Sequence, residues 1–306
     1  MKAVQQKRIK RPVSGVLLLD KPAGLSSNQA LQQIKRMYQA EKAGHTGNLD
    51  PFATGLLPIC FGEATKFSHF LLDSDKAYRA TLRLGATSST GDTEGEITEV
   101  AEVEITPPML EKVLQQFAGR ISQVPPMYSA LKHQGKALYE YARAGVEIER
   151  KAREVEIYHI ALIRLAGAEA EIEVGCSKGT YIRTLAEDIG KALGCGAYLT
   201  QLRRTASGMF DLNQAVTADA LEGMTMEQRD ACLLQADVLL QHLPAVTLDA
   251  DSAYYLCQGQ PVWKSGVLHR GHLRLYAESG RFLGLGEVAD DGKIAPRRLV
   301  VDKKDA

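Results

Sequence analysis

The stretch Gly44-His45-Thr46-Gly47-Asn48-Leu49-Asp50-Pro51-Phe52-Ala53-Thr54-Gly55 concentrates residue types that can do chemistry. Two early glycines permit close backbone approach or positive φ. A proline drives the residue before it out of the helical region toward extended backbone, and here that residue is Asp50. An acid held that way between apolar Leu49 and Phe52 is a poor surface decoration. The pattern points to a carboxylate at the floor of a cleft. Such a group can act as nucleophile, general base or metal ligand. A capping aspartate in an Asx-type turn is the alternative.

Other reactive residues form no comparable constellation. The five cysteines, at 60, 176, 195, 232 and 257, are odd in number and irregularly spaced, and no C-x-x-C pair occurs. A disulfide framework and a cysteine zinc site are both disfavoured. His269 and His272 make one H-x-x-H pair around Gly271 with no acid or cysteine close by, which reads as a polar turn. No metal and no cofactor is expected, and a reduced cytoplasmic compartment fits best.

Charge is balanced overall, with 37 basic against 37 acidic residues. That balance argues at first against a nucleic-acid binder, which is usually basic. The distribution argues otherwise. Lys2, Lys7, Arg8, Lys10 and Arg11 lie within residues 1–12, which hold no acid. Those residues read as a basic disordered arm, either a phosphate-binding tail or a solvated terminus. Lys21, Lys132, Lys136, Arg143, Arg183, Arg203 and Arg204 are available to line a local basic cleft. An apolar share of 45% and a charged share of 24% exclude disorder, collagen and coiled coil for the whole chain. The run after the arm is short, interrupted by glycine and followed by Asp20 and Lys21, unlike a secretory signal. No window is apolar enough for a membrane span.

The elements that must position Asp50 can be read in outline. G-V-L-L-L-D at 15–20 is a buried strand, and Ser26 or Ser27 caps a helix over 28–39 with Leu31, Ile34 and Tyr38 on one face. Residues 43–55 read as a loop and 56–61 as a strand, with Pro58 favouring an edge position. Residues 63–72 look helical and 78–84 look like a strand. Residues 85–96 form a Ser/Thr/Gly-rich loop with several acids. Thr106, Pro107 and Pro108 start a helix that Gly119 stops. Residues 123–153 are polar and basic and read as an excursion. E-A-E-I-E-V at 169–174 is a half-solvated strand with three glutamates on one face. A helix over 181–193 follows, with Gly194 as its C-cap, and a helical zone covers about 217–240. Past 242–244, short apolar pieces between glycine turns suggest a small β-barrel or sandwich. Arg183 falls near a helix start, where the macrodipole disfavours a cation; this suggests a specific anion close by, and a solvated surface arginine is the alternative.

G-H-T-G-N-L-D-P-F-A-T-G resembles the catalytic-aspartate motif of the TruB family of pseudouridine synthases. G-V-L-L-L-D-K-P at 15–22 is similar to the family's first motif. D-K-A-Y-R-A at 75–80 resembles its active-site tyrosine segment, and C-S-K-G-T-Y-I-R-T-L at 176–185 its arginine segment. L-R-R-T-A-S-G at 202–208 also matches. Position 48 is Asn where relatives often carry a small residue or Thr. The likeness spans about 15–301.

The resemblance implies an α+β fold. A mixed or antiparallel sheet carries the catalytic domain at 13–243, residues 123–153 resemble an insertion that grips RNA, and residues 244–306 resemble a PUA-like RNA-binding domain of β-barrel type. It implies isomerisation of uridine to pseudouridine at position 55 in the T loop of tRNA. The uracil is detached from C1′, turned and rejoined through carbon, on a flipped-out base, without cofactor. Unstacking costs a few kcal/mol, and aromatic stacking returns about 1–3 kcal/mol per base.

By the same resemblance Asp50 is the nucleophile and Arg183 its partner. Tyr78 lies over the flipped uracil, and Tyr181 and Leu202 wall the pocket. Lys21 and Pro22 support the catalytic loop, and His45 fills space that bases vacate. Ordinary core packing is the alternative for Tyr78, Tyr181 and Leu202, a plain turn for Lys21, and a packed neutral ring for His45. The partner implied is the T arm of tRNA, with no membrane and no obligate protein partner, and a monomer is expected. A non-catalytic RNA-binding or RNA-folding protein, and a carboxylate glycosidase lacking an evident second carboxylate, are the competing readings.

Overall fold

The computed structural model describes residues 10–267 and 269–301. Its centre is a mixed sheet of ten strands among the described residues. The order across it is Val216–Thr217, Gly15–Lys21, Thr54–Phe61, Ala197–Ser207, Lys76–Leu84, Glu169–Cys176, Arg153–Ala166 and Gly119–Gln123. Ala43–His45 and Phe210–Asp211 pair on the side of this path. Most pairs are antiparallel, and Ala197–Ser207 runs parallel to Thr54–Phe61 over a short contact.

The apolar run at 15–21 becomes an interior strand because both of its faces find a core. Leu17 and Leu19 enter the large cluster on one side, while Val16 and Leu18 enter a second cluster with Leu56, Phe67 and Phe210. Period-two alternation does the same work more simply at Glu169–Cys176. Ala170, Ile172 and Val174 are buried there, and Glu171 lies between Arg79 and Arg164 on the wet face.

Ser26 caps the helix Ser27–Met37 in a capping box with Gln29, and Ala30, Leu31 and Ile34 pack inward. The helix Ile182–Leu193 ends on Gly194 at φ 77°, with Leu185, Ala186 and Ile189 buried. It packs on the same sheet face as Tyr78, Ala80 and Leu82.

Pro58 does not mark an edge. It lies in an interior strand, opposite Leu18. Its carbonyl faces the other side, where it accepts from the Thr46 N–H at 3.1 Å just as the Ala43–His45 strand ends. The missing proline N–H therefore meets a gap between ladder partners. The stretch read as a loop at 85–96 contributes a short strand, Ala86–Ser88, paired with Ile97–Glu99. The excursion after Gln123 folds as a small hairpin, Lys132–His133 against Lys136–Ala137, followed by the helix Leu138–Arg143.

Beyond Pro244 a four-stranded sheet forms in the order Ala245–Leu248, Gly271–Ala277, Phe282–Val288, Ile294–Leu299, with the helix Ala250–Cys257. It has its own core of Leu248, Leu256, Leu273, Leu275 and Ile294. Phe282 meets Phe67 of the first domain edge-on at 5.7 Å, and Lys66 Nζ donates to the Leu299 carbonyl at 2.8 Å. His272 is a strand residue facing Phe70, and no turn forms there. Among the described residues no helix is long and apolar enough to cross a membrane, and no cluster of His, Cys, Asp and Glu could hold a metal ion.

Candidate active site

The loop bearing Asp50 is held from three directions. From the helix Ser27–Met37, the buried Ser27 hydroxyl accepts from the Leu49 N–H at 2.7 Å, and its Oγ lies 3.0 Å from the Leu49 carbonyl. From the first strand, Lys21 Nζ donates to the carbonyls of Pro22 at 2.8 Å and Leu25 at 2.6 Å, with Pro51 O at 3.5 Å. From Ala197–Ser207, Arg204 donates through Nε to Leu56 O at 2.7 Å and through Nη1 to Asn48 O at 3.2 Å. Gly55 makes that last approach possible. Its φ is 100°, and a Cβ there would lie 2.3 Å from the Arg204 carbonyl oxygen.

Asp50 then meets the cation expected of it. Arg183 Nε lies 3.1 Å from Asp50 Oδ2. Burial holds the Asp50 carboxyl above the ordinary carboxylate range, and the Arg183 guanidinium pulls it back toward ionisation. Arg183 is itself 5% exposed and fixed on every side. Its Nη1 donates to Thr90 O at 3.1 Å, its Nη2 donates to Tyr128 O at 2.6 Å, and Nη1 faces Asp92 Oδ2 at 3.4 Å. Asp92, 1% exposed, accepts from the Thr90 hydroxyl and the Glu94 N–H. Two carboxylates thus balance a cation at a helix start, where the dipole opposes it. Gln123 clamps the same helix start, donating to the Tyr181 carbonyl and accepting the Tyr181 N–H.

A cleft of about 160 Å³ opens over this pair. Asp50, Tyr78, Tyr181, Arg183 and Leu202 all line it, so five residues singled out from the sequence converge on one site. Tyr78 comes from the strand beside Arg204, in register with it, and burial raises its phenol pKa. Ser129 and Ala130 close the cleft from the excursion, which is therefore a wall of the site as well as an appendage.

His45 and Lys21 stand outside the cleft. His45 lies in the strand leading into the loop, with Nδ1 buried and without a hydrogen-bond partner, and burial lowers its pKa. Lys21 is 0% exposed under the loop, and burial pulls its pKa down to about 8. Two members of the expected basic cleft are corrected here. Lys21 and Arg204 are buried and do not line it, whereas Arg183 is buried and does. Arg203 pairs with Asp20 at 2.6 Å. Lys132, Lys136 and Arg143 remain exposed on the excursion, with Lys136 and Arg143 over the rings of Tyr141 and Tyr139. Residues 1–9 of the basic arm lie outside the described residues, and Arg11 is held to the fold by Asp230 at 2.6 Å.

Sequence reasoning passed over Asp92, Gln123 and Ser129. Asp92 is one of several acids in a polar loop, and its distinguishing feature is burial, which local pattern does not carry. The glycosidase reading needs a second carboxylate open to the cleft, and Asp92 is enclosed and committed to Arg183 and Thr90.

A loop-borne carboxylate paired with a buried arginine in a cleft lined by two tyrosines, on a mixed sheet, defines a class of enzyme, and comparison with known proteins defines it further. The family model of the TruB family pseudouridylate synthase N-terminal domain matches residues 35–182. Two C-terminal models follow. The tRNA pseudouridylate synthase B C-terminal domain matches residues 183–247, and the pseudouridine synthase II TruB C-terminal model matches residues 244–300. The chain is 64% identical over 297 residues to tRNA pseudouridine synthase B of Methylobacillus flagellatus, covering 97% of this chain and 98% of that one. It is 57% identical to the protein of the same name from Nitrosospira multiformis, covering 95% and 96%. Among solved structures, a chain of a Cbf5-Nop10-Gar1 complex aligns with TM-score 0.69 and 25% identity over 97% of this chain and 91% of that one. The chain belongs to the TruB family of pseudouridine synthases. It is an RNA pseudouridine synthase, with the fold that the sequence motifs implied.

Proposed function

We propose that the protein converts the uridine at position 55 in the T loop of tRNA into pseudouridine, with Asp50 as the nucleophile. The observation that carries this reading is the Asp50–Arg183 pair at 3.1 Å in a small cleft that Tyr78 also lines. Relatives at high identity over nearly full length are named tRNA pseudouridine synthase B. At about 160 Å³ the cleft is smaller than the roughly 300–1,000 Å³ of drug-sized sites, and suits one flipped pyrimidine.

The reaction breaks the bond from uracil N1 to C1′ and makes one from C5 to C1′. One proton leaves C5 and one is gained at N1, so the product is an isomer. Asp50 must be ionised to attack, and Arg183 favours that form. Tyr78 lies over the base, and Tyr181 and Leu202 wall the pocket. The exposed cations of the excursion, with their paired tyrosines, hold the T arm by phosphate contact and stacking. The protein works in the cytoplasm as a monomer without an obligate protein partner.

Purified protein incubated with unmodified tRNA, followed by pseudouridine mapping, tests the site. Modification confined to position 55, lost in Asp50→Asn with tRNA binding retained, is the expected result. Modification elsewhere would overturn the substrate assignment. Substantial single-turnover activity in Asp50→Asn would overturn the nucleophile.

A further inference from the structure

Arg204 is the largest of the fully buried side chains, at 1% exposure, and no carboxylate pairs with it among the described residues. Burying an unpaired cation is costly, so a cation kept in that state has work that an apolar side chain could not do. Nε and Nη1 are spent on the carbonyls of Leu56 and Asn48. Nη2 is buried and has no hydrogen-bond partner.

The strand register sets Arg204 directly across from Tyr78. The guanidinium is close enough to draw the phenol pKa down against the effect of burial. Arginine has only donors, whereas a phenol has one O–H and can also accept. A hydrogen bond between the two has therefore only one polarity. Arginine gives the N–H, and the tyrosine O–H stays free for another acceptor.

We propose that Arg204 is a positioning residue for the reaction. Its Nη2, which has no other partner, donates to the Tyr78 phenol oxygen and so turns the phenol O–H toward the flipped base. Through Asn48 O the same side chain grips the loop two residues before Asp50. One guanidinium then sets the spacing between nucleophile and aromatic cover. The inference rests on the pseudouridine reaction proposed above.

Single-turnover pseudouridine formation on a T-arm stem-loop tests it, in Arg204→Lys, Tyr78→Phe and the double variant. RNA Kd and the thermal midpoint are measured alongside. Lysine keeps the charge and loses the fork. Arg204→Lys is expected to slow the chemical step by about tenfold or more with Kd changed less than about twofold. The double variant is expected to fall within about twofold of the slower single variant, because both remove one interaction. Losses that multiply would overturn the proposal and leave Arg204 a structural anchor of the loop. Weakened RNA binding with an unchanged rate would overturn it in favour of a direct contact to RNA. Should Arg204→Lys fail to fold, Arg204→Gln supplies the same cycle with a neutral donor. A wild-type protein that leaves uridine unmodified would overturn the proposed function itself, whereas an active wild type with multiplying losses removes only this role.

Discussion

Removing the cation from Arg183 is the sharpest perturbation the site offers. Arg183 Nε and Asp50 Oδ2 are 3.1 Å apart. At an effective dielectric of about 20, unit charges at that distance attract by about 5 kcal/mol. The Asp50 side chain is 37% exposed, and solvent screening brings this to about 2–3 kcal/mol. With about 1.4 kcal/mol per factor of ten, the ionised carboxylate loses about 30- to 150-fold of its advantage over the protonated form. The sign follows directly. Arg183 favours ionisation, so in Arg183→Met the carboxyl holds its proton more tightly, and the acid limb of the rate profile moves to higher pH. On the acid side kcat/KM should fall by the full factor of about 30–150, and the deficit should shrink as pH rises. Arg183→Lys should keep the acid limb near that of wild type. It should still lower the rate at all pH values, because the bonds to Thr90 O and Tyr128 O need the fork. Single-turnover rates on a stem-loop between pH 5 and 9 read both outcomes, a range of about two units either side of neutrality. A pH-independent loss in Arg183→Met, or an acid limb moving down, would refute the electrostatic reasoning.

Asp92→Asn removes the second charge on Arg183 and should cost about tenfold in rate, for a charge-assisted contact worth about 1.5 kcal/mol, with RNA Kd unchanged. Gly55→Ala forces left-handed backbone on alanine and drives its Cβ toward the Arg204 carbonyl. Strain plus lost ladder bonds should destabilise the fold by about 3 kcal/mol, read by urea unfolding. Asp50→Asn should melt no lower than wild type at neutral pH. The folded carboxyl pKa lies above its unfolded value, so its contribution is favourable in acid and lost as pH rises through the folded pKa; the gap in midpoint should close on acidification. Deleting residues 1–9 removes Lys2, Lys7 and Arg8, and should flatten the slope of log Kd against log salt by up to about 2 if all three meet phosphates. An unchanged slope returns the arm to a solvated terminus.

The parts of this fold visible in the sequence are those whose signal is local. The run at 15–21, the alternation at 169–174, the Ser26 cap and the Gly194 stop each depend on neighbours within one element, and each is found in place. The Asp50–Arg183 pair was legible for a different reason, through the family resemblance, because a cation at a helix start reads equally well as a solvated surface arginine. Pro58 misled because a ladder gap inside a sheet resembles an edge to a proline. Asp92 and Arg204 were illegible in role because charge pattern reports residue type and says nothing of depth. Both are charged residues in polar company along the chain, and both are enclosed in space.

That enclosure changes what the balanced charge means. Lys21, Arg183 and Arg204 are buried around the loop, with the carboxylates of Asp50, Asp92, Glu94 and Glu187 in the same electrostatic neighbourhood. Backbone carbonyls, which are dipoles and not ions, absorb most of the cations' hydrogen-bonding capacity. On the nucleophile reading, bond formation at Asp50 removes one negative charge from this cluster. A departing uracil carries negative charge at the moment when the cluster has lost one. Preorganised cations in a dry site stabilise such a transition state without reorganising. On the same proposed reading, the exposed cations Lys132, Lys136 and Arg143 of the excursion hold phosphates, so a chain with no net charge can still meet RNA through a local cationic group.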